Sequence, residues 1–276
     1  MVNYFRLMLC FYDVIRKKAK ALIYGRLPGF AGRFPYFGEV VYFPRRSVSF
    51  YAACEQGIYE KNNVQFLTAW ARPETTVFDV GANIGLMAIP VLRECPTCAV
   101  VSFEPSPTVL PFLRRTIGSS SMRGRWSLVE KAVADLEGDV DFSVGAPEDS
   151  LFDGIRSTRR RQTVAKVQVP VVTIDLFWES RGCPAVSVIK CDVEGAELAV
   201  LRGSRQCLKQ MRPAVLIEWN AQNLEAYDCA PDSILSFCEE TQYRIFSVPA
   251  YVEIHDATEL ALQMMLTENF ALLPQS

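Results

Sequence analysis

Hydrophobic positions fall in two rhythms along this chain. Short runs of β-branched and aromatic residues alternate with stretches in which apolar positions recur every three or four residues. The first rhythm predicts buried strands and the second amphipathic helices. Strands are expected over residues 75–80, 99–103, 126–133, 139–144, 164–173, 185–191, 213–219 and 243–248, with a last strand inside 261–273. Helices are expected from Ile84 through Leu92, from Ser106 through Ile117, over 174–179, after the Glu194-Gly195-Ala196-Glu197 lead-in with Leu198, Val200 and Leu201, and over 231–240. Ser106 suits a helix cap and Pro107 a first turn. Residues 185–191 are almost wholly apolar, as expected of a central parallel strand covered on both faces.

The N-terminal third reads differently. Residues 4–24 form an amphipathic helical pattern with Leu7, Phe11, Val14 and Leu22 on one face, and Arg6, Arg16, Lys17, Lys18 and Lys20 adding positive charge. The segment lacks the basic-then-apolar order and cleavage site of a secretory signal. It reads as a helix packed on the domain or on a partner, and a peripheral membrane contact stays open. Pro28, Gly29, Gly32, Pro35, Gly38 and Pro44 break the following stretch into turns and short strands, and residues 55–70 recover a helical pattern. The expected organisation is an extension over 1–72 and a catalytic-type domain over 73–276.

Composition narrows the class. Hydrophobic residues make up 50% and charged residues 22%, in the range of a soluble globular protein that buries a large core. The net charge of −2 gives no general pull toward nucleic acid or anionic lipid, and no basic–aromatic stripe is present. No uncharged apolar run reaches the roughly 18 residues of a membrane span. Nine cysteines without framework spacing indicate free thiols in a reducing compartment, so a cytoplasmic location is expected. Cys95-Pro-Thr-Cys98 reads as two thiols at a helix-to-strand turn; a zinc or redox role would want a second ligand pair, and His255 is the only histidine.

Candidate chemistry begins at the first expected strand. It ends in Asp79-Val-Gly81-Ala-Asn83-Ile-Gly85, and the second ends in Glu104. Strand, glycine loop, helix, strand and acid make the first half of a nucleotide-type α/β fold, with the acid suited to ribose hydroxyls. A dinucleotide site would carry a third glycine and bare N–H groups for a pyrophosphate. Here Asp79 brings a negative charge, which suits a ligand with a cationic amino group, and S-adenosylmethionine carries both an ammonium and a sulfonium. A nicotinamide-dependent oxidoreductase is the alternative enzyme, and a binding module that kept the fold is the non-enzymatic one.

Later strands also end in acids: Asp192 with Glu194, then Glu218. In doubly wound sheets chemistry gathers at the carboxyl ends of strands. Methyl transfer is an in-line displacement, and a hydroxyl acceptor calls for a base such as Asp192 or Glu194, with Glu218 beside them. Glu197 fits a helix N-terminus. No metal is assigned, because carboxylates in a cluster read equally as a base or as a hard-cation site. Residues 145–163 read as an irregular, mobile insertion, in which Arg159-Arg160-Arg161 either contacts an anionic substrate group or is solvated.

Together Phe78-Asp79-Val80-Gly81-Ala82-Asn83-Ile84-Gly85, Phe103-Glu104-Pro105-Ser106-Pro107, Val172-Thr173-Ile174-Asp175, Ile189-Lys190-Cys191-Asp192-Val193-Glu194-Gly195-Ala196-Glu197 and Leu216-Ile217-Glu218 resemble the FkbM family of S-adenosylmethionine-dependent methyltransferases. The resemblance covers roughly residues 55–274. It implies a Rossmann-like class I methyltransferase fold, with a seven-stranded, mostly parallel sheet whose last strand is antiparallel. It implies O-methylation of a small molecule or carbohydrate. It places Asp79, Gly81, Asn83 and Gly85 around the methionine part of the cofactor, Glu104 on the ribose, and Lys131, Ala132 and Val133 around the adenine. Asp192 and Glu194 would face the transferred methyl. The first fifty residues and the arginine-bearing insertion fall outside it and are expected to hold substrate specificity.

Overall fold

The computed structural model describes residues 2–146, 153–158 and 163–275, with side chains from residue 14 onward. Arg159-Arg160-Arg161 and the side chains of Arg6, Leu7 and Phe11 lie outside the described residues. Helix α1 (Val2–Arg26) leads to a hairpin, β1 (Arg33–Tyr36) and β2 (Glu39–Tyr42), and then to α2 (Val48–Gln56) and α3 (Lys61–Trp70). The pattern over 55–70 becomes two helices because Gly57 (φ 81°) and Glu60 (φ 44°) take left-handed conformations between them. No helix among the described residues is long and apolar enough to cross a membrane.

The alternating part follows as β3 (Thr76–Val80), α4 (Ala88–Glu94), β4 (Ala99–Phe103), α5 (Leu110–Ser119), β5 (Trp126–Val129), β6 (Ala132–Val133), β7 (Gly138–Val144), β8 (Ala165–Val172) and α6 (Ile174–Ser180). Next come β9 (Val186–Cys191), α7 (Glu197–Arg202), α8 (Arg205–Met211), β10 (Ala214–Glu218), α9 (Ala221–Glu225), α10 (Ser233–Thr241), β11 (Tyr243–Ser247), β12 (Glu253–Ile254), α11 (Ala257–Met264) and β13 (Asn269–Pro274). The main sheet has the order β12-β11-β13-β10-β9-β3-β4-β5. Strands β5, β4, β3, β9 and β10 are parallel, and β13 inserts antiparallel between β10 and β11. This is the expected seven-stranded sheet with an antiparallel last strand, to which β12 adds a short edge. Connections leave β3 toward β4 on one side and β9 lies on the other, so the crevice at the carboxyl ends of β3 and β9 is the switch point where such sheets bind ligands.

Alternation along the strands divides the core. Val77, Val100, Val188 and Leu216 face a cluster that also takes in Phe34, Phe43, Phe50, Phe66 and Leu67 from the N-terminal segment. Phe78, Val101, Ile189 and Ile217 face the opposite cluster, with Trp178, Leu201 and Leu208 from the helices on that side. At the C-terminal end of α1, Ala21 and Tyr24 pack against the first cluster.

Four local expectations change. Residues 126–133 are not one strand: β5 ends at Val129, and Ala132–Val133 joins a separate three-stranded sheet, β6-β8-β7. Strand β8 belongs there and not in the main sheet. Its outer half is exposed, which suits an antiparallel sheet covered on one face better than a buried parallel one. Finally, α4 starts at Ala88, because Asn83 (φ 47°) and Gly85 (φ 88°) are left-handed and a right-handed helix cannot run through them. Helix α5 likewise starts at Leu110, with Pro111 rather than Pro107 in its first turn.

Candidate active site

Strand register builds a polar row across the sheet. Asp79 on β3 stands opposite Ser102 on β4 and Lys190 on β9. All three are buried. Trp126 Nε1 donates to Ser102 Oγ at 2.9 Å, and Ser102 Oγ donates to Asp79 at 3.4 Å. The Lys190 ammonium lies 3.7 Å from Asp79 and 3.3 Å from Asp192, and donates to the Gly81 carbonyl at 2.8 Å. Burial works against the charge on Lys190, but Asp192, Asp79 and Glu60 outweigh it and its pKa is raised. Burial raises Asp79, and Lys190 opposes that rise. Lys190 therefore ties together the ends of the two strands that flank the switch point.

Above this row the chain turns sharply. Gly81 has φ 78°, and a Cβ there would stand 1.9 Å from the Asp192 carbonyl oxygen, so only glycine lets the first loop press on the loop after β9. A Cβ on Gly85 would meet the Trp126 ring at 2.8 Å. The Asn83 N–H donates to one Glu104 oxygen at 2.8 Å, and the Ser106 N–H donates to the other at 2.8 Å. Burial pushes Glu104 up to about 7 despite these two N–H donors. Ser106 Oγ also donates to Asp153 at 2.6 Å, and Asp153 accepts the Gly145 N–H at 2.7 Å. The described part of the insertion is thus bound to the loop after β4.

The segment Asp192 to Glu197 is held from inside. Glu197 accepts the Val193 N–H at 2.9 Å and the Gly195 N–H at 3.2 Å, and burial pushes it up to about 7. Glu194 takes a left-handed φ of 58°, an uncommon position for a non-glycine residue. One carboxylate oxygen each from Asp192, Glu194 and Glu218 lie within 4.8 Å of one another. Asn223 Nδ2 donates to Glu218 at 3.0 Å. Burial, then the charges of Asp192 and Glu194, raise Glu218 well above the ordinary carboxylate range. Among the described residues this trio is the group of carboxylates close enough together to be able to hold a metal ion, and the Lys190 ammonium 3.3 Å from Asp192 already offsets part of its charge.

A cavity of about 50 Å³ opens at the carboxyl ends of β3, β4 and β9. Of the residues singled out from the sequence, Gly81, Asn83, Glu104, Lys131, Ala132, Val133, Asp192 and Glu194 line it. Asp79, Gly85 and Glu218 do not line it; Glu218 stays close to it through the carboxylate trio. The sequence reading gave no role to Lys190, Asp153 or Tyr59. Lys190 sat in the quoted Ile-Lys-Cys-Asp run, where a lysine inside a buried strand is itself a signal. Asp153 and Tyr59 carried no pattern: Tyr59 lines a smaller cleft with Ser49, Lys190 and Asp192, brought there by the N-terminal segment. Cys95 and Cys98 lie buried at the turn from α4 into β4, where burial pushes Cys98 up to about 12.

Several methyltransferases are similar to this chain. Hexuronic acid methyltransferase AglP of Haloferax volcanii is 30% identical over 163 residues, which are 59% of this chain and 63% of that protein. The 2-O-methyltransferase NoeI of Sinorhizobium fredii is 26% identical over 58% of this chain and 69% of its own. The 31-O-demethyl-FK506 methyltransferase FkbM of Streptomyces tacrolimicus is 27% identical over 48% of this chain and 60% of its own. The chain therefore spans about two thirds or less of these relatives' lengths. Among solved structures, methyltransferase FkbM from Methylobacillus flagellatus aligns with a TM-score of 0.46 at 15% identity, over 82% of this chain and 53% of that one. A family model described as the methyltransferase FkbM domain matches residues 79–245, more than half of the chain, and the protein belongs to the FkbM family of methyltransferases.

Proposed function

We propose that the protein transfers the methyl group of S-adenosylmethionine to a hydroxyl oxygen of a small molecule or sugar. Family membership displaces the nicotinamide-dependent alternative. The observation that carries the reading is Glu104 at the rim of the cavity, each oxygen fixed by a loop N–H, across from a glycine loop pressed onto Asp192. The residues present fit the cofactor. Phe103, Val133, Phe142 and Ile155 offer an apolar surface for a base, and Glu104 has lone pairs left for ribose hydroxyls. The Asn83 N–H is engaged by Glu104 rather than presented to a phosphate. Carboxylates at the far end suit a ligand bearing two positive charges.

When bound, S-adenosylmethionine supplies an electrophilic methyl carbon on a sulfonium. The chain's own task is to align an acceptor oxygen, exclude water and take a proton from it. Asp192 lines both the cofactor cavity and the cleft beneath Tyr59, so it reaches both sides of the transfer point. Asp192, with Glu194 next to it, serves as the base. Glu218, held toward its neutral form, serves better as a hydrogen-bond donor. In this reading residues 73–276 form the catalytic domain, and the extension over 1–72 covers one face of the sheet and walls the acceptor side.

Calorimetric titration with S-adenosylmethionine, with NAD as control, tests the reading. Saturable binding of the former alone is expected. Asp192→Asn should keep that binding and lower kcat by roughly 10²–10⁴, the range of a lost general base. Binding of NAD alone, or full activity in Asp192→Asn, would refute it.

A further inference from the structure

Beyond the cofactor cavity, a second concavity of about 350 Å³ lies between the turn joining α2 to α3 and the start of β13. It is lined by Gln56, Glu60, Lys61, Asn62, Asn63 and Asn269. Ile58 supplies its apolar lining. All these positions fall outside the stretch matched by the family model, residues 79–245. The wall is built rather than incidental. Buried Asn63 donates through Nδ2 both to Glu60 at 2.8 Å and to Asn269 at 2.8 Å, joining two segments distant in the chain. Gln56 Oε1 accepts the Glu60 N–H at 2.6 Å.

Glu60 sits at φ 44°, a left-handed conformation that is costly for a residue with a Cβ and persists only where surroundings over-determine it. Its position explains what that conformation secures. Tyr59, its neighbour in sequence, lines the cleft that contains Asp192 and Lys190. Asn269 pairs in register with Glu218 across β10 and β13. The groove therefore opens beside the carboxylates at the transfer point. Burial, then the charge of Asp192, raises the pKa of Glu60, as expected of a carboxyl held close to that centre.

We propose that this groove is the acceptor subsite, that it takes a carbohydrate-type acceptor rich in hydroxyls rather than an aromatic or macrocyclic one, and that Glu60 binds an acceptor hydroxyl directly. The proposal rests on the methyl-transfer reading above. The chemistry of the lining supports it. A sugar hydroxyl both donates and accepts, and side-chain amides and a carboxylate answer both functions at fixed angles. An aromatic or polyketide acceptor would need an apolar wall, and one isoleucine does not make one. The extension thus contributes recognition, while the strand ends contribute cofactor and base.

The test pairs two binding measurements with one kinetic one. Saturation-transfer NMR would use a panel of methyl glycosides (gluco, manno, fuco and rhamno forms) against catechol as the aromatic control. Glycoside binding is expected in the unaltered protein, with at least a tenfold loss in Glu60→Gln, which keeps the side-chain shape. Asn62→Trp, at an exposed position that leaves the core intact, should block the groove to a similar degree. In both variants calorimetric affinity for S-adenosylmethionine should stay within twofold, and with a transferring glycoside the acceptor KM should rise more than kcat falls. Catechol binding with no glycoside binding would overturn the groove assignment, as would unchanged glycoside binding in both variants. Glycoside binding without cofactor binding would overturn the methyl-transfer reading alone.

Discussion

Lys190→Met isolates the charge at the centre of the site. Methionine keeps most of the chain length and apolar volume, so what disappears is an ammonium that donates to the Gly81 carbonyl at 2.8 Å and lies 3.3 Å from Asp192 and 3.7 Å from Asp79. Lys190 and Asp79 are both nearly inaccessible, at 4% and 2% exposure. Removing one partner of a buried pair strands the other, at a cost of about 3–5 kcal/mol. For a domain near this size each kcal/mol shifts Tm by roughly 2–4 °C, so a fall of roughly 6–20 °C is expected. The pH dependence carries the diagnosis. Burial already raises Asp79 and Lys190 opposes the rise, so the substitution raises it further. A carboxyl whose pKa is raised on folding supports the fold below its unfolded pKa, and that support is lost as pH climbs through the folded value. The Tm deficit of Lys190→Met should therefore be smaller at pH 5 than at pH 8. Adding Asp79→Asn should recover at least about 1 kcal/mol relative to the sum of the single variants, the signature of direct coupling. Thermal melts followed by circular dichroism at both pH values read all of this. A deficit below about 3 °C, or one equal at pH 5 and pH 8, would refute the pairing as the reason Lys190 is there.

Three further perturbations address the loops and the row behind them. Glu104→Gln should lower Tm near pH 4, because the amide can accept only one of the two loop N–H bonds, and should narrow that deficit at pH 8, because the carboxyl's pKa rises from 4.5 to about 7 on folding and its ionisation costs the unaltered protein stability as pH climbs through that window; the same variant should weaken S-adenosylmethionine binding in calorimetry. Gly81→Ala drives a methyl to 1.9 Å from the Asp192 carbonyl at φ 78°, so a loss of about 2–4 kcal/mol in denaturant melts and of cofactor binding is expected. Ser102→Ala leaves the buried Trp126 indole N–H without its acceptor, for a loss of about 1–3 kcal/mol, and a shift in tryptophan emission should report it.

The strand ends were legible because each combines an apolar run with an acid or a glycine at its exit. That pattern marks Glu104, Asn83, Asp192 and Glu194, and the fold sets all four around one cavity. The helices after β3 and β4 begin about one turn later than their apolar periodicity predicts, since that periodicity does not register a left-handed Asn83 or a turn at Ser106. Strand β8 was assigned to the wrong sheet for a similar reason. Its β-branched run marks it as a strand, but which partner covers it depends on the facing Gly138–Val144 segment.

By itself the sequence determined the order of strands and helices, the glycine loop, and the acids that close the strands. These are local consequences of side-chain period and backbone permissiveness, and neighbouring residues suffice to express them. Only the tertiary structure decided which residues meet. Register across three strands sets Ser102, Asp79 and Lys190 in one row, and turns a lone basic residue in an apolar strand into the cation that holds two loops. The packing of the N-terminal segment on the same face brings Tyr59 and Glu60 beside Asp192, where Asn63 and Asn269 close the groove. Such meetings arise from burial of apolar faces between segments far apart in the chain, and no local period records them.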